Sequence, residues 1–223
     1  MAEQAKGVMK FNPVGKRFYE TGIRKLALFL KGTGQYEVGA PWNGATNVKV
    51  SPSGAEPNKH YSLNEEYINI LSAEELAITI EAFTYPDIFA TCDGSQEVEK
   101  GVFLGGQGRE AFGIVWQSLI GNDIEKQNYG YVLHLVWDIL AAPAEREYAT
   151  TNATTDPITF SWECSVTPAT NGEQRVTEMT IRSDKADPVK LKALEDVIYG
   201  TETAAPKMPS FKEVITMMKG AQG

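Results

Sequence analysis

The chain has 223 residues, of which 42% are hydrophobic and 10% are aromatic, and its formal net charge at pH 7 is −8. This composition is too apolar for a disordered chain, and the length fits one domain with a substantial core. The acidic balance argues against a dedicated binder of phosphate backbones, while two Cys and two His exclude a disulfide scaffold and a zinc site built from Cys and His alone.

The N-terminal segment is basic, in contrast to the rest of the chain. Residues 1–31 carry seven basic and two acidic residues, a net charge of +5, whereas residues 32–147 have a net charge of −11. We expect residues 1–24 to form a basic arm, with Lys10, Lys16 and Arg17 as its contact residues. Such an arm either docks on a like subunit or is simply solvated, and the charge pattern does not decide between the two.

The sequence shows no targeting or membrane segment. The N-terminus lacks an apolar core of signal-peptide length, and the apolar run at residues 26–30 is far too short to cross a bilayer. We therefore expect folding in a reducing cytoplasm, with Cys92 and Cys164 as thiols.

Two stretches are apolar at successive positions, which is typical of strands covered on both faces. They are residues 25–30 and 131–140, and residues 47–50 and 112–120 are further strand candidates. The segment after the first of these strands, residues 34–61, is rich in Gly, Pro, Asn and Ser. It also contains Trp42 and the strand candidate at residues 47–50. A connection of this length in a compact domain is usually functional or flexible. We predict an extended hairpin that leaves the domain and exposes this tryptophan.

Residues 76–82, 158–167 and 176–182 alternate between apolar and polar side chains, as strands with one buried face do. The polar positions of the first two of these strands contain no Lys or Arg. The candidates for an exposed polar face are Thr79, Glu81, Thr159, Ser161, Glu163 and Ser165. Turn residues separate many short strands, which indicates an antiparallel sandwich or barrel rather than a doubly wound sheet.

Two helices are predicted near the C-terminus. The first is capped by Asp187 and stopped by Gly200, and the second begins with a capping box formed by Ser210 and Glu213. We expect residues 201–223 to form a strap followed by this second helix. The helix either packs on its own domain or docks elsewhere.

Few residues could carry chemistry. His134 lies between two leucines in an apolar strand, which is typical of a hydrogen-bonded sheet histidine, and His60 lies in a polar segment. Residues 106–111 match G-x-G-x-x-A, but phosphate binding requires a helix to begin there, and the following residues predict a strand. We predict no catalytic residue, no metal site and no cofactor.

Three classes of function remain open at this point. A structural assembly protein uses loops and arms as joints and needs no catalytic group. A carbohydrate-binding module would use an aromatic platform such as Trp42, Trp116 or Trp162, although Trp162 alternates inward with Phe160, which weakens this reading. A hydrolase on a sandwich scaffold is the third class.

Several short stretches, in their order and spacing, resemble a known family. They are 42–46 (WNGAT), 51–57 (SPSGAEP), 71–75 (LSAEE), 79–87 (TIEAFTYPD), 92–94 (CDG), 130–131 (GY) with 134–136 (HLV), 161–163 (SWE), and Asp187-Pro188 with Leu191, Leu194-Glu195 and Tyr199-Gly200. With these stretches the chain resembles the major tail proteins, or tail tube proteins, of bacteriophages with long non-contractile tails (siphophages).

The resemblance implies a mainly β fold. The tail tube domain, at residues 25–200, would be an antiparallel β-sandwich or barrel-like domain with a flanking α-helix and a long extended loop, followed by a C-terminal helix. It also implies a structural, non-enzymatic virion protein whose hexameric rings stack into the tail tube, the conduit for DNA ejection. The alternative function is a non-catalytic β-sandwich binding module of the carbohydrate-binding type.

The same resemblance implies partners and a location. The partners are other copies of the chain, the tape measure protein, and the tail terminator and distal tail proteins. Double-stranded DNA is present only in transit, and no membrane and no cofactor are involved. The protein would reside in the phage tail of the virion after assembly in the host bacterial cytoplasm.

Carried over to this chain, the long loop of the family falls at residues 41–57 and makes contacts between rings. The interface candidates are Trp42, Asn43, Gly44, Pro52, Ser53, Gly54, Glu56 and Pro57. A DNA channel should have a wall without Lys and Arg, so that it does not hold phosphates. The polar strand positions named above would therefore line the lumen, or else face bulk solvent.

Overall fold

The computed structural model describes residues 8–54, 56–148, 150, 157–171 and 174–220. Fourteen strands, two α-helices and one short 3-10 helix (Asp87–Ala90) lie in these parts of the chain, and the antiparallel, mainly β architecture confirms the predicted fold class. The strands are β1 (Tyr19–Leu30), β2 (Val38–Pro41), β3 (Ala45–Ser53), β4 (Pro57–Ser62), β5 (Glu65–Leu71), β6 (Glu75–Ala82), β7 (Gln96–Glu99), β8 (Val102–Leu104), β9 (Phe112–Asn122), β10 (Lys126–Ala141), β11 (Phe160–Val166), β12 (Ala169–Asn171), β13 (Gln174–Val176) and β14 (Glu178–Arg182). The helices are α1 (Pro188–Tyr199) and α2 (Phe211–Lys219).

One antiparallel sheet has the order β2-β1-β9-β10-β11-β6-β3, and β14 also pairs with β10. Strand β10 changes partner along its length: Val132 to Val136 pair with β14, whereas Ile139 to Ala141 pair with β11. A register shift lies between these two parts, at Asp138, which has a φ of 52°. Such a bulge bends a strand. Here the bend separates the part of β10 that pairs with β14 from the part that pairs with β11, so that β10 takes part in both layers of the domain. Three two-stranded hairpins, β4–β5, β7–β8 and β12–β13, lie outside this sheet.

The end of β1 (residues 26–30), almost all of β9 and most of residues 131–140 of β10 are buried on both faces. For β1 and β10 this agrees with the prediction from their continuous apolar runs. The inner face of these three strands packs against β3, β6 and β11, and the outer face packs against α1 and α2. The inner core includes Leu28, Ile78, Ile80, Phe112, Ile114, Ile139 and Trp162. The outer core includes Phe29, Leu133, Leu135, Trp137, Leu194, Ile198 and Val214.

Both predicted helix starts are confirmed. The side chain of Asp187 accepts hydrogen bonds from two backbone amides of α1, and Ser210 forms a capping box with Glu213 at the start of α2. Helix α2 packs on its own domain, since Val214 is buried and the indole Nε1 of Trp137 donates to the carbonyl oxygen of Pro209 at 3.0 Å. Neither helix is long and apolar enough to span a membrane, within the part of the chain that the structure describes.

Several element boundaries differ from the sequence predictions. Strand β1 begins at Tyr19, inside the segment assigned to a basic arm, because residues 19–24 pair with the end of β9. Strand β11 begins at Phe160, so Ile158 and Thr159 precede it. The segment 106–111 is an irregular link before β9, as expected from the strand pattern that follows it.

Candidate functional site

The predicted loop at residues 34–61 is organised differently from the single projecting hairpin we expected. It contains β2, which pairs with β1 along its whole length, and β3, which is an edge strand paired with β6. The projecting element is the β4–β5 hairpin, which continues the β3–β6 ladder beyond the pair formed by Ser53 and Glu75. Gly54 interrupts this ladder with a φ of +82°, and a Cβ at that position would collide with the carbonyl oxygen of Ala73.

The β4–β5 hairpin is exposed along its whole length. All residues of both strands are exposed, and its ordered polar contacts include one cross-strand ion pair, Lys59 Nζ to Glu66 Oε2 at 2.7 Å. Six large apolar side chains are exposed to solvent on it: Tyr61, Leu63, Tyr67, Ile68, Ile70 and Leu71. A lone two-stranded hairpin is marginally stable in water, and several large apolar side chains exposed on one projecting element indicate an interaction site.

Trp42 is buried, and the prediction that it is exposed is wrong. The side chain is 3% exposed, and its ring lies 4.7 Å from that of Phe89 and 5.6 Å from that of Trp162. The chain crosses between the two layers at this point, so the indole fills the inner core. Trp116 and Trp162 are also buried, and thus none of the three tryptophans supplies the aromatic platform of a carbohydrate-binding module.

The other interface candidates are exposed but do not form one patch. Asn43 and Gly44 form the turn before β3, whereas the remaining candidates lie at the other end of this strand. Because β3 has nine residues, the two groups are about 30 Å apart. The far-end group consists of Pro52, Ser53, Gly54, Glu56 and Pro57. This second group forms the base of the projecting hairpin.

The predicted polar strand positions do come together. In the pairing of β11 with β6, Ser161 lies opposite Glu81 and Glu163 opposite Thr79, while Ser165 follows on the same face. Strand β3 adds Lys49 opposite Thr79, a basic residue that the sequence argument did not place there. Thr159 precedes β11 and stays outside the ladder. No helix of the described chain covers this face, and its inward neighbours are core residues.

The basic arm is held on its own domain through Gly15. The amide of Gly15 donates to both carboxylate oxygens of Asp123, at 3.0 and 3.1 Å, in the β9–β10 turn. These hydrogen bonds favour the ionised carboxylate and lower the pKa of Asp123. Lys10, Lys16 and Arg17 are exposed around this anchor. Part of the predicted arm, residues 1–7, lies outside the described residues.

One polar cluster of the structure was not predicted from the sequence. On the inner face, Nε2 of His134 lies 2.8 Å from Oγ of Ser118, and Nδ1 lies 2.9 Å from Oε1 of Glu178. The imidazole stacks on Trp116 at 4.7 Å. Ser118 and His134 sit on paired strands, so a predicted β9–β10 hairpin could have joined them, but Glu178 comes from a distant strand.

The cluster has the order of a Ser–His–acid relay, but the Ser118 hydroxyl has a second acceptor. The carboxylate of Glu20 contacts the same oxygen, and a carboxylate only accepts, so it competes with His134 for the single hydroxyl proton. Ser118 is also 7% exposed. The arrangement satisfies buried polar groups and connects β1, β9, β10 and β14. Among the described residues, no group of three His, Cys, Asp or Glu side chains could hold a metal ion.

No protein-family model matches the chain, and no curated protein is similar to it in sequence. Solved structures similar to it include a chain of the anti-feeding prophage (AFP) baseplate, with a TM-score of 0.35, 10% identity, and coverage of 78% of this chain and 97% of that one. Hcp1 from Flavobacterium johnsoniae has a TM-score of 0.31 and 10% identity, over 69% and 99% of the two chains. A chain of the extended PVC sheath–tube complex, from an extracellular contractile injection system, has a TM-score of 0.34 and 10% identity, over 77% and 93%.

Proposed function

We propose that the chain is a structural subunit that assembles with copies of itself into hexameric rings, which stack into a tube of the phage-tail type. The observation that carries this proposal is the exposed β4–β5 hairpin. Its six large apolar side chains lie in water, and a two-stranded hairpin alone contributes little to its own stability. Burial against a partner would remove this apolar surface from solvent and order the hairpin.

Free sheet edges support a second copy of the chain as the partner. Strands β2 and β3 stand at the two ends of the strand order, and no other strand of the described residues pairs with their outer sides. Unpaired edges favour association with other strands, and closing the sheets of neighbouring subunits into a common barrel removes them. The exposed residues at the base of the hairpin would then contact the adjoining subunit; they are Pro52, Ser53, Gly54, Glu56 and Pro57.

The uncovered face of β3, β6 and β11 is suited to the wall of a channel. Its charged side chains are Glu75, Glu81, Glu163 and Lys49, so its net charge is negative. A wall of this kind does not hold phosphates, since phosphate binding requires clustered Lys and Arg. We propose that this face lines the lumen and that DNA passes along it without specific contacts.

Further partners and the location are proposed from the sequence resemblance. They are the tape measure, tail terminator and distal tail proteins, with the chain placed in the virion tail after assembly in the bacterial cytoplasm. In this role the chain has no enzymatic activity.

Electron microscopy and sedimentation velocity of the purified chain test the proposal. We expect rings or tubes for the native chain. A variant in which residues 58–70 are replaced by an Asn-Gly turn should keep the β3–β6 ladder and its circular dichroism spectrum, but should fail to assemble. A strictly monomeric native chain at high concentration would overturn the proposal.

A matched pair of substitutions separates a specific hairpin contact from a general effect of surface polarity. Ile70→Ser lies on the hairpin, whereas Val189→Ser replaces a 77% exposed apolar residue on α1. Only the first should reduce assembly. Equal effects would contradict a role for the hairpin.

A further inference from the structure

A cavity of about 670 Å³ lies between the two layers of the domain, beside the pairing of β10 with β14. Strands β1, β9, β10 and β14 line one side of it, and β3 lines the other. The apolar part of the wall includes Ile23, Val48 and Val50, and no Lys or Arg of the described residues lines the cavity. Its volume falls within the range of small-molecule sites, which combine an apolar wall with a few polar groups.

The indole of Trp116 is a hydrogen-bond donor without a partner among the described residues. The other three tryptophans, Trp42, Trp137 and Trp162, each donate from Nε1 to a protein oxygen. Trp116 is only 5% exposed, and every fully buried side-chain nitrogen and oxygen of the described chain has a partner. The unpaired Nε1 therefore reaches open space, and the space that Trp116 lines is the cavity. Since an indole N–H only donates, its partner must be an acceptor that enters the cavity.

Two carboxylates in the wall make the cavity acidic. Oε1 of Glu20 lies 3.5 Å from Nε2 of His134, and Oε1 of Glu178 lies 2.9 Å from Nδ1. Contacts from the described residues reach only Oε1 of each carboxylate, so both Oε2 atoms can still accept hydrogen bonds. Because the wall has no Lys or Arg, the two carboxylates outnumber its cations even when the imidazole is protonated. Partly buried carboxylates with free acceptor atoms favour a cation that donates hydrogen bonds.

We propose that this cavity binds a small organic ammonium compound that also carries a hydroxyl group. The ammonium group donates to Glu20 and Glu178, and the hydroxyl oxygen accepts the N–H of Trp116. The carbon chain between the two groups packs on the apolar wall. A metal ion does not suit the site, because the described residues form no group that could hold one, and because a metal ion offers no acceptor to the indole. This binding goes beyond the structural role proposed above and does not depend on assembly.

Three probes of matched length test the site by isothermal titration calorimetry of the full chain. 4-Amino-1-butanol has both polar groups, n-butylamine lacks the hydroxyl group, and 1,4-butanediol lacks the charge. We expect a dissociation constant of about 1 mM for the first probe, about fivefold weaker binding of the second and no binding of the third. Phosphate buffer is required, because Tris is itself an amine with hydroxyl groups.

Substitutions assign each contact. Trp116→Phe keeps an aromatic ring without the N–H donor, so it should weaken 4-amino-1-butanol about fivefold and leave n-butylamine unchanged. A general loss of packing would weaken both amines alike. Glu178→Gln should weaken both about tenfold. Glu163→Gln, at an exposed position of β11, is the matched control and should leave both unchanged. Circular dichroism verifies that each variant is folded.

Three results would overturn the proposal. One is the absence of binding heat with either amine at about 10 mM. Another is equal affinity for the diol and the amino alcohol, which would remove the requirement for a cation. The third is an equal loss with Glu163→Gln and Glu178→Gln, since amines would then bind to the acidic chain without a specific site. Each of these results leaves the assembly into rings standing, because electron microscopy tests that role separately.

Discussion

The indole Nε1 of Trp42 donates a hydrogen bond to the carbonyl oxygen of Thr84 across 2.9 Å. This bond joins the turn between β2 and β3 to the segment that follows β6. It therefore holds the start of β3 beside the end of β6. The indole packs at the same time on Phe89 and Trp162. Trp42 is therefore a core residue that positions the edge strand β3, from which the projecting hairpin continues.

Trp42→Ala should lower the free energy of unfolding by about 3–5 kcal/mol, because it leaves a large cavity and an unpaired carbonyl. Urea denaturation followed by circular dichroism measures this loss. Tyr67→Ala, on the exposed hairpin, is the control and should change stability by less than about 0.5 kcal/mol. Equal losses in the two variants would contradict the core assignment.

His134→Leu should destabilise the chain by about 1–3 kcal/mol, since it removes the imidazole that contacts the Glu178 carboxylate in a partly buried site. A double-mutant cycle with Glu178→Gln measures the coupling across the 2.9 Å contact. His60→Leu, in exposed β4, serves as the control. Additive effects of the two cluster substitutions would argue against a connected network.

The anchoring of the arm should be lost at acid pH. The native pKa of Asp123 is lowered by its bonds from the Gly15 amide, so the anchoring is complete above about pH 4, where the carboxylate is ionised even in a free chain. It is lost as the pH falls through the lowered native pKa. The amide shift of Gly15 in an NMR titration reports this change, and Asp123→Asn should give the released position already at pH 7. An arm signal that is insensitive to both changes would refute the anchor.

Both thiols should be unreactive in the folded chain. Burial raises the pKa of Cys92 and of Cys164 to about 12, so the nucleophilic thiolate is scarce at pH 8. A disulfide reagent such as DTNB should therefore label two thiols in urea and none, within minutes, in buffer. Rapid labelling of the native chain would show that the inner core opens on that time scale.

Local patterns in the sequence account for much of the fold. The alternation in β6 and β11 places Ile78 and Trp162 in the core and leaves Glu163 exposed, as predicted. The caps at Asp187 and Ser210 are formed within a few residues of the helices that they start. These features depend on interactions between near neighbours in the chain, and such interactions can be inferred from spacing alone.

The candidate surfaces depend on contacts between residues that are distant in the sequence. A Gly-, Pro- and Asn-rich segment shows that the chain turns, but whether Trp42 faces water depends on Phe89 and Trp162, which lie far away in the sequence. The register between β6 and β3 likewise brings Lys49 to a face that appeared free of basic residues.

The sequence by itself therefore determined the β class, the helix starts and the alternation of buried and exposed positions in β6 and β11. The tertiary structure alone decided which hairpin projects, where the arm is anchored and which side chains meet across strands. The physical reason is that burial and pairing are set by contacts between distant segments, and these contacts form only when the two layers close on the core.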